Sequence, residues 1–137
     1  MNILYPALAL FGLTAFCIFR LALLRFSAIR RGDVDPRFFR LYKDYEEPEA
    51  LRVHSRHVSN LFEAPVLFYA IVLIAFVTRQ IGWLPLALAW GYVLLRIAHS
   101  YVHLSSNNVL FRFRLFAVSW LILILLWTVV FLGIALK

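Results

Sequence analysis

Four apolar stretches separated by polar connections dominate the chain, and they cover residues 5–24, 64–77, 81–95 and 115–136. A helix needs about 20 apolar residues to cross a hydrocarbon core of about 30 Å, and the first and last stretches reach that length on their own. The pattern contains no internal repeat and no second domain. It predicts one all-α domain over residues 1–137, an integral membrane four-helix bundle with up-down-up-down topology.

The polar connections predict how the four spans meet. Residues 30–51 form a long polar segment, so we expect a solvated loop in which any helix, such as one over residues 38–45, is short. The connections near residues 79–85 and 105–108 are tight. Short connections make consecutive helices antiparallel neighbours, so the second, third and fourth spans should pack side by side.

Composition and charge support a membrane location. Of the 137 residues, 64% are hydrophobic and 15% are charged, which does not suit a soluble domain. The net charge of +7 would favour nucleic acid in a soluble protein, but here the basic residues flank the spans. We therefore expect the lipid bilayer as a partner and no nucleic acid. The single cysteine, Cys17, lies in the first span and is predicted to be a packing residue.

The distribution of basic residues also predicts the orientation of the spans. Arginines and lysines crowd the first connection and flank the third, whereas the second connection carries only Arg79. By the positive-inside rule, the loop between spans one and two and the loop between spans three and four face the cytoplasm. Both termini then lie on the opposite side of the membrane.

Some polar residues are forced into the membrane because the second apolar stretch is too short to cross it. The helix must extend upstream from Val77 towards Val58, which brings Asn60 and Glu63 into the span. Arg56, Asn60 and Glu63 are spaced i, i+4, i+7, and this spacing predicts one polar stripe on the second helix.

The third span reaches full length only by including Arg96, His99 and His103, whose i, i+3, i+7 spacing predicts a second polar stripe. Arg112 and Arg114 open the fourth helix at the same depth. Because they are two residues apart, they point in nearly opposite directions, and only one of them should face the site. The two stripes and this arginine predict a largely cationic site at the cytoplasmic face.

Glu63 is the only acidic residue outside the long loop. An ionised carboxylate in hydrocarbon costs a few kcal/mol or more, so we expect cationic or donor neighbours around it. It could form a structural bridge to an arginine or receive a ligand. His99 and His103 could bind zinc or hydrogen-bond a neighbouring helix, but no carboxylate or cysteine accompanies them on their helix. No metal site is therefore predicted.

Two strings of residues resemble the MAPEG family, the membrane-associated proteins in eicosanoid and glutathione metabolism. Residues 56–65 read RHVSNLFEAP, and residues 96–103 read RIAHSYVH, followed by Arg112. The second string is similar to the prostaglandin E synthase branch, and the whole chain resembles a bacterial-type member. The resemblance implies a homotrimer with a glutathione site between adjacent subunits, which a lipophilic small-molecule substrate enters from the bilayer.

The resemblance also implies roles for individual residues. Arg112 corresponds to the arginine that stabilises the glutathione thiolate and is the candidate catalytic residue. The candidate glutathione-binding residues are Arg25, Arg56, Asn60, Glu63, Arg96, His99 and His103. Arginines can hold the two carboxylates of glutathione, Glu63 its ammonium and Asn60 a backbone amide. The two histidines stand where family enzymes often carry tyrosines that contact glutathione, which weakens the analogy for catalysis more than for binding.

The function implied is that of a glutathione S-transferase or peroxidase acting on lipophilic electrophiles. The alternative is a non-catalytic membrane protein that binds an anionic lipid or metabolite in the same cationic pocket. Glu63 discriminates between them in part, because a pure anion site has little use for a carboxylate. The sequence leaves the lipophilic substrate and the type of reaction open.

Overall fold

The computed structural model describes residues 2–42 and 47–136, and in these ranges helices are joined by turns and short loops. The helices of the described residues are α1 Leu4–Arg31, α2 Phe38–Leu41, α3 Glu49–Leu61, α4 Ala64–Val77, α5 Trp83–Leu104 and α6 Val109–Ala135. No strand occurs in these two ranges. The prediction of an all-α fold is confirmed.

In the described part of the chain, three helical stretches are long and apolar enough to cross a membrane: α1, α6 and the combined stretch of α3 and α4. Helix α5 has 22 residues, which corresponds to about 33 Å. Short turns join its two ends to α4 and α6, so α5 must cross between them. The chain is therefore an integral membrane four-helix bundle, as predicted.

The turns form where the sequence provides suitable residues. Helix α1 ends at Gly32, whose φ of 77° is a left-handed conformation that glycine adopts without strain. Gly82 precedes α5 and Pro85 lies in the first turn of that helix, where its missing N–H costs nothing. Asn108 precedes α6, and its side-chain oxygen accepts a hydrogen bond from the Phe111 N–H at 3.0 Å. Both tight connections lie where they were predicted.

The second span is not the continuous helix that its length predicted. Helix α3 ends at Leu61 and α4 begins at Ala64, so that expectation was wrong. Pro65 lacks a backbone N–H for the Leu61 carbonyl, and its ring would clash with that carbonyl in a regular helix. Glu63 lies in the break, with φ −95° and ψ −97°.

The short helix expected over residues 38–45 does begin at Phe38 and extends to Leu41. Tyr42 follows the helix with a left-handed φ of 54°, and the rest of the predicted helix, residues 43–45, lies outside the described residues. Cys17 is buried within α1, as predicted.

Two apolar cores hold the bundle together. The larger one joins α1, α4, α5 and α6, and at its centre the Phe68 and Tyr92 rings stack with their centroids 4.6 Å apart. The smaller one packs α1, α2 and α3 together through buried residues that include Leu21, Phe38 and Leu51. The outward faces of α1 and α6 expose many large apolar side chains, which suits contact with lipid. The smaller core fixes α3 at the end of the bundle that carries the polar residues.

Candidate functional site

A polar cleft of about 600 Å³ opens at the end of the bundle where α3, α5 and α6 meet. Its volume is within the range of small-molecule sites. It is lined by Tyr42, Glu47, Arg52, Val53, Ser55, Arg56, Ser59, Asn60, Glu63, His103, Asn107 and Arg112. Among the described residues, three arginines and two carboxylates therefore share one cleft, so it can hold a ligand that carries charges of both signs.

A second groove, of about 250 Å³, borders the cleft and shares three of its residues: Asn60, Glu63 and Arg112. Its other lining residues are His99, Val109, Phe113 and Phe116. One wall of this groove is thus apolar and belongs to α6. The shared polar residues lie where a polar ligand in the cleft would meet an apolar ligand in the groove.

Five of the eight predicted site residues line the cleft itself: Arg56, Asn60, Glu63, His103 and Arg112. The stripe from Arg56 to Glu63 was predicted on a regular helix. Its three residues line the same cleft even though the second span is broken after Leu61. Arg56 and Glu63 are exposed and Asn60 is half-buried. These side chains are available to a ligand.

Of the two arginines that open α6, Arg112 reaches the cleft, and the preceding turn holds its side chain there. Its Nη1 donates a hydrogen bond to Oδ1 of Asn107 at 2.7 Å. Asn107 has a left-handed φ of 49° in the turn between α5 and α6, a conformation that asparagine tolerates. Arg114 is exposed and is not among the lining residues of either pocket. Geometry thus distinguishes two arginines that spacing alone could not.

Glu63 does not have the direct cationic partner that was expected. Its side chain is exposed, and within residues 2–42 and 47–136 its carboxylate forms no ion pair. The ion pair found in those ranges joins Arg31 and Asp33, 2.9 Å apart, on the loop after α1. Glu63 and Arg96 form no ion pair in those ranges either. A structural bridge from Glu63 to an arginine is therefore absent from the described part of a single chain.

Arg96 is completely buried and lines neither the cleft nor the groove. Its Nη2 donates a hydrogen bond to the backbone carbonyl of Asn60 at 3.3 Å. That carbonyl belongs to the last turn of α3, where the break before α4 leaves carbonyls without helical partners. Arg96 thus joins α5 to the end of α3 behind the cleft wall.

His99 and His103 are both buried, on the side of α5 that faces α3 and α6. The Nδ1 of His99 donates a hydrogen bond to the Arg112 backbone carbonyl at 3.2 Å, and this bond ties α5 to the first turn of α6. His103 reaches the cleft and His99 reaches the groove. The predicted stripe is therefore real, although its members occupy different surroundings.

A third histidine, His57, was not predicted to belong to the site. It is completely buried on α3, and its ring centroid lies 6.1 Å from that of His99 and 5.0 Å from that of His103. The sequence did contain a signal for it. His54, His57 and Leu61 are spaced i, i+3, i+7 and form the buried face of α3.

Arg25 lies apart from the cleft, in an apolar hollow between α1 and α3 that is also lined by Phe26, Phe39 and Phe62. Its guanidinium carbon is 5.2 Å above the centroid of the Phe39 ring, and its Nη2 donates a hydrogen bond to Ser55 Oγ at 3.3 Å. Ser55 in turn donates to Glu47 at 3.1 Å, and both of these residues line the cleft. Arg25 supports the rim of the cleft through Ser55.

The sequence profile of the MAPEG family matches residues 3–132 of the chain. The matched region begins just before α1 and ends within α6, so it includes the cleft and every helix that borders it. In comparisons with curated proteins and with solved structures, none matches the chain.

Proposed function

Because the chain belongs to the MAPEG family, we propose that it binds glutathione in the polar cleft and transfers it to lipophilic electrophiles or uses it to reduce peroxides. The family includes glutathione transferases and peroxidases. One observation carries the proposal. Arg56, Glu63 and Arg112 line a single cleft that continues into a groove with an apolar wall.

The charges of the cleft match those of glutathione, which has two carboxylates and one ammonium at neutral pH. Arg52 and Arg56 can each hold a carboxylate through two parallel hydrogen bonds. Glu63 has no ion-pair partner of its own within the described residues, so its carboxylate can receive the ammonium. Asn60 can pair with a peptide group of the ligand.

Arg112 is the residue proposed to act on sulfur. A guanidinium close to a thiol favours the thiolate, which is the nucleophilic form. The thiolate forms a carbon–sulfur bond with the electrophile, and the leaving group departs with its electron pair. Arg112 lies where the cleft meets the groove, so it can also stabilise the negative charge that develops there.

The lipophilic substrate would occupy the groove beside α6. Val109 and Phe113 line this groove and are exposed, so the groove is open to the surroundings of the bundle. A substrate dissolved in the bilayer could therefore approach the thiolate without crossing water. His103, which lines the cleft, can donate a hydrogen bond to a carboxylate or thiolate in the place of a family tyrosine.

We further propose that the functional unit is a homotrimer with its clefts at the cytoplasmic face. In one chain the cleft is open, and both Arg56 and Glu63 are exposed. A neighbouring subunit would supply the missing wall and exclude water from the thiolate. The excess of basic residues around the loop between α1 and α3 supports the cytoplasmic location of this end.

The test is a thermal-shift titration of the detergent-purified protein with glutathione and with S-hexylglutathione. A ligand that binds only the folded state stabilises it, by about 2.7 kcal/mol at 100 times Kd, so we expect a saturable rise in Tm. Conjugation of 1-chloro-2,4-dinitrobenzene then measures turnover. Arg112→Ala should reduce turnover, and Arg114→Ala, at an exposed residue two positions away, is the matched control.

Two results would contradict the proposal. The absence of any shift with both glutathione and S-hexylglutathione would exclude a glutathione site. A shift produced by an anionic lipid headgroup but not by glutathione would favour the non-catalytic alternative, although the Glu63 carboxylate in the cleft argues against such a site.

A further inference from the structure

Three buried histidines from two helices meet beside the cleft: His57 of α3 with His99 and His103 of α5. Each offers a ring nitrogen, and these nitrogens all lie within 4.8 Å of one another. Imidazole is the commonest metal ligand in proteins, and three histidines with an open fourth position form a known type of zinc site. The third ligand, His57, comes from α3, so the spacing of residues along α5 could not reveal it.

The hydrogen bonds of these rings leave ligand nitrogens free. His99 donates its Nδ1–H to the Arg112 carbonyl, which leaves the lone pair on Nε2, and this nitrogen is buried without a partner. Among the described residues, His57 has no partner for either ring nitrogen, and His103 has none for Nδ1. Buried polar atoms are normally satisfied, so these unpaired ring nitrogens within one histidine cluster need an explanation.

We propose that His57, His99 and His103 bind one divalent transition-metal ion of the Zn²⁺ class. Zn–N bonds of about 2.0–2.1 Å in a tetrahedral site place the nitrogens about 3.3–3.4 Å apart, so small side-chain rotations from the present separations are sufficient. The bond from His99 to the Arg112 carbonyl is the kind that orients a metal-bound histidine.

The surroundings of the cluster define the fourth ligand. His103 lines the cleft, so water or a small ligand can reach a metal bound there. The buried guanidinium of Arg96 is close enough to interact electrostatically with His57. Because three neutral imidazoles leave the charge of the ion uncompensated beside that guanidinium, the fourth ligand should be anionic, such as hydroxide, chloride or a thiolate. Imidazole ligands favour Zn²⁺, Co²⁺, Ni²⁺ or Cu²⁺ over Mg²⁺ and Ca²⁺.

The experiment is a titration of the tag-free, metal-stripped protein in detergent with Co²⁺, without glutathione. We expect one Co²⁺ per chain with the intense visible absorption of four-coordinate cobalt, and Zn²⁺ should abolish it. Replacing any one of the three histidines by glutamine should weaken Co²⁺ binding at least 10- to 100-fold, the loss that follows removal of even an outer-shell partner. His54→Gln is the matched control, because His54 is buried one turn earlier on α3 and is not in the cluster.

Each outcome decides the proposal. Four-coordinate absorption that is lost in the three variants and retained in His54→Gln supports it. Absorption typical of six-coordinate cobalt, the absence of stoichiometric binding, or equal loss in His54→Gln would overturn it. If a variant does not fold, the spectrum and stoichiometry of the unmodified protein decide alone. Glutathione is absent throughout, so failure of the proposed function would leave this result unaffected.

Discussion

Replacing Glu63 by glutamine separates a ligand-binding carboxylate from a structural one, because Glu63→Gln keeps the size of the side chain and removes its charge. Glu63 is exposed and its carboxylate forms no ion pair within the described residues. Surface substitutions of this kind usually change the free energy of unfolding by no more than about 0.5 kcal/mol. Breaking a buried ion pair would instead cost about 3–5 kcal/mol. We therefore expect the unliganded variant to be nearly as stable as the original protein.

The same substitution should weaken glutathione binding strongly. A hydrogen bond to a charged group contributes about 1.5–3 kcal/mol, and about 1.4 kcal/mol corresponds to a factor of ten in Kd. The expected increase in Kd is therefore about 10- to 150-fold. The physical reason is the loss of the carboxylate that receives the glutathione ammonium.

Calorimetric titration with glutathione and with an analogue lacking the γ-glutamyl amine measures this interaction. The analogue should bind the original protein weakly and should lose little further affinity in Glu63→Gln, since both changes remove the same contact. Glu47→Gln is the control, because Glu47 also lines the cleft but accepts a hydrogen bond from Ser55. Unchanged glutathione affinity in Glu63→Gln would show that Glu63 does not receive the ammonium. A full loss of affinity in Glu47→Gln instead would assign the ammonium to Glu47.

Four further predictions concern the frame around the cleft, the orientation of the spans and the assembly. Asn108→Ala removes the side-chain cap of α6 and should lower the free energy of unfolding by about 0.5–2 kcal/mol in denaturant titrations. Asn108→Asp should retain most of the stabilisation that the cap provides, because aspartate can also accept the Phe111 N–H. Asn107→Gly should reduce conjugation turnover with little loss of stability, because glycine adopts the left-handed backbone freely but offers Arg112 no acceptor; unchanged turnover would show that Asn107 does not position Arg112. Reporter fusions should read cytoplasmic within the loop after Gly32 and non-cytoplasmic after the C-terminus, and the reversed pattern would contradict the proposed orientation. Native mass spectrometry should detect a trimer, and a monomer that binds glutathione would contradict the proposed assembly.

The architecture was predictable because bilayer thickness determines how long an apolar helix must be. Four apolar stretches and two tight connections therefore predicted the bundle, and the residues before α5 and α6 indicated where those helices begin. The break in the second span was not predicted, because the length needed to cross the bilayer favoured one continuous helix from Val58 to Val77. Pro65 was the local signal against it, since a proline removes a hydrogen bond from the helix interior.

The polar residues of the site were partly predictable for a related reason. Helical spacing correctly grouped Arg56, Asn60 and Glu63 on one side of the second span. Spacing within one helix does not show which neighbouring helix covers a side chain. The burial of Arg96 and the meeting of His57 with the α5 histidines depend on how α3 packs against α5, and that packing could not be derived from either helix alone.

The most direct test of the central claim is an experimental structure of the detergent-solubilised protein bound to S-hexylglutathione. We expect the γ-glutamyl ammonium at Glu63, the sulfur within reach of Arg112, and the hexyl chain in the groove lined by Val109, Phe113 and Phe116. Ligand density at another place, with the cleft unchanged, would contradict the assignment of this cleft as the glutathione site.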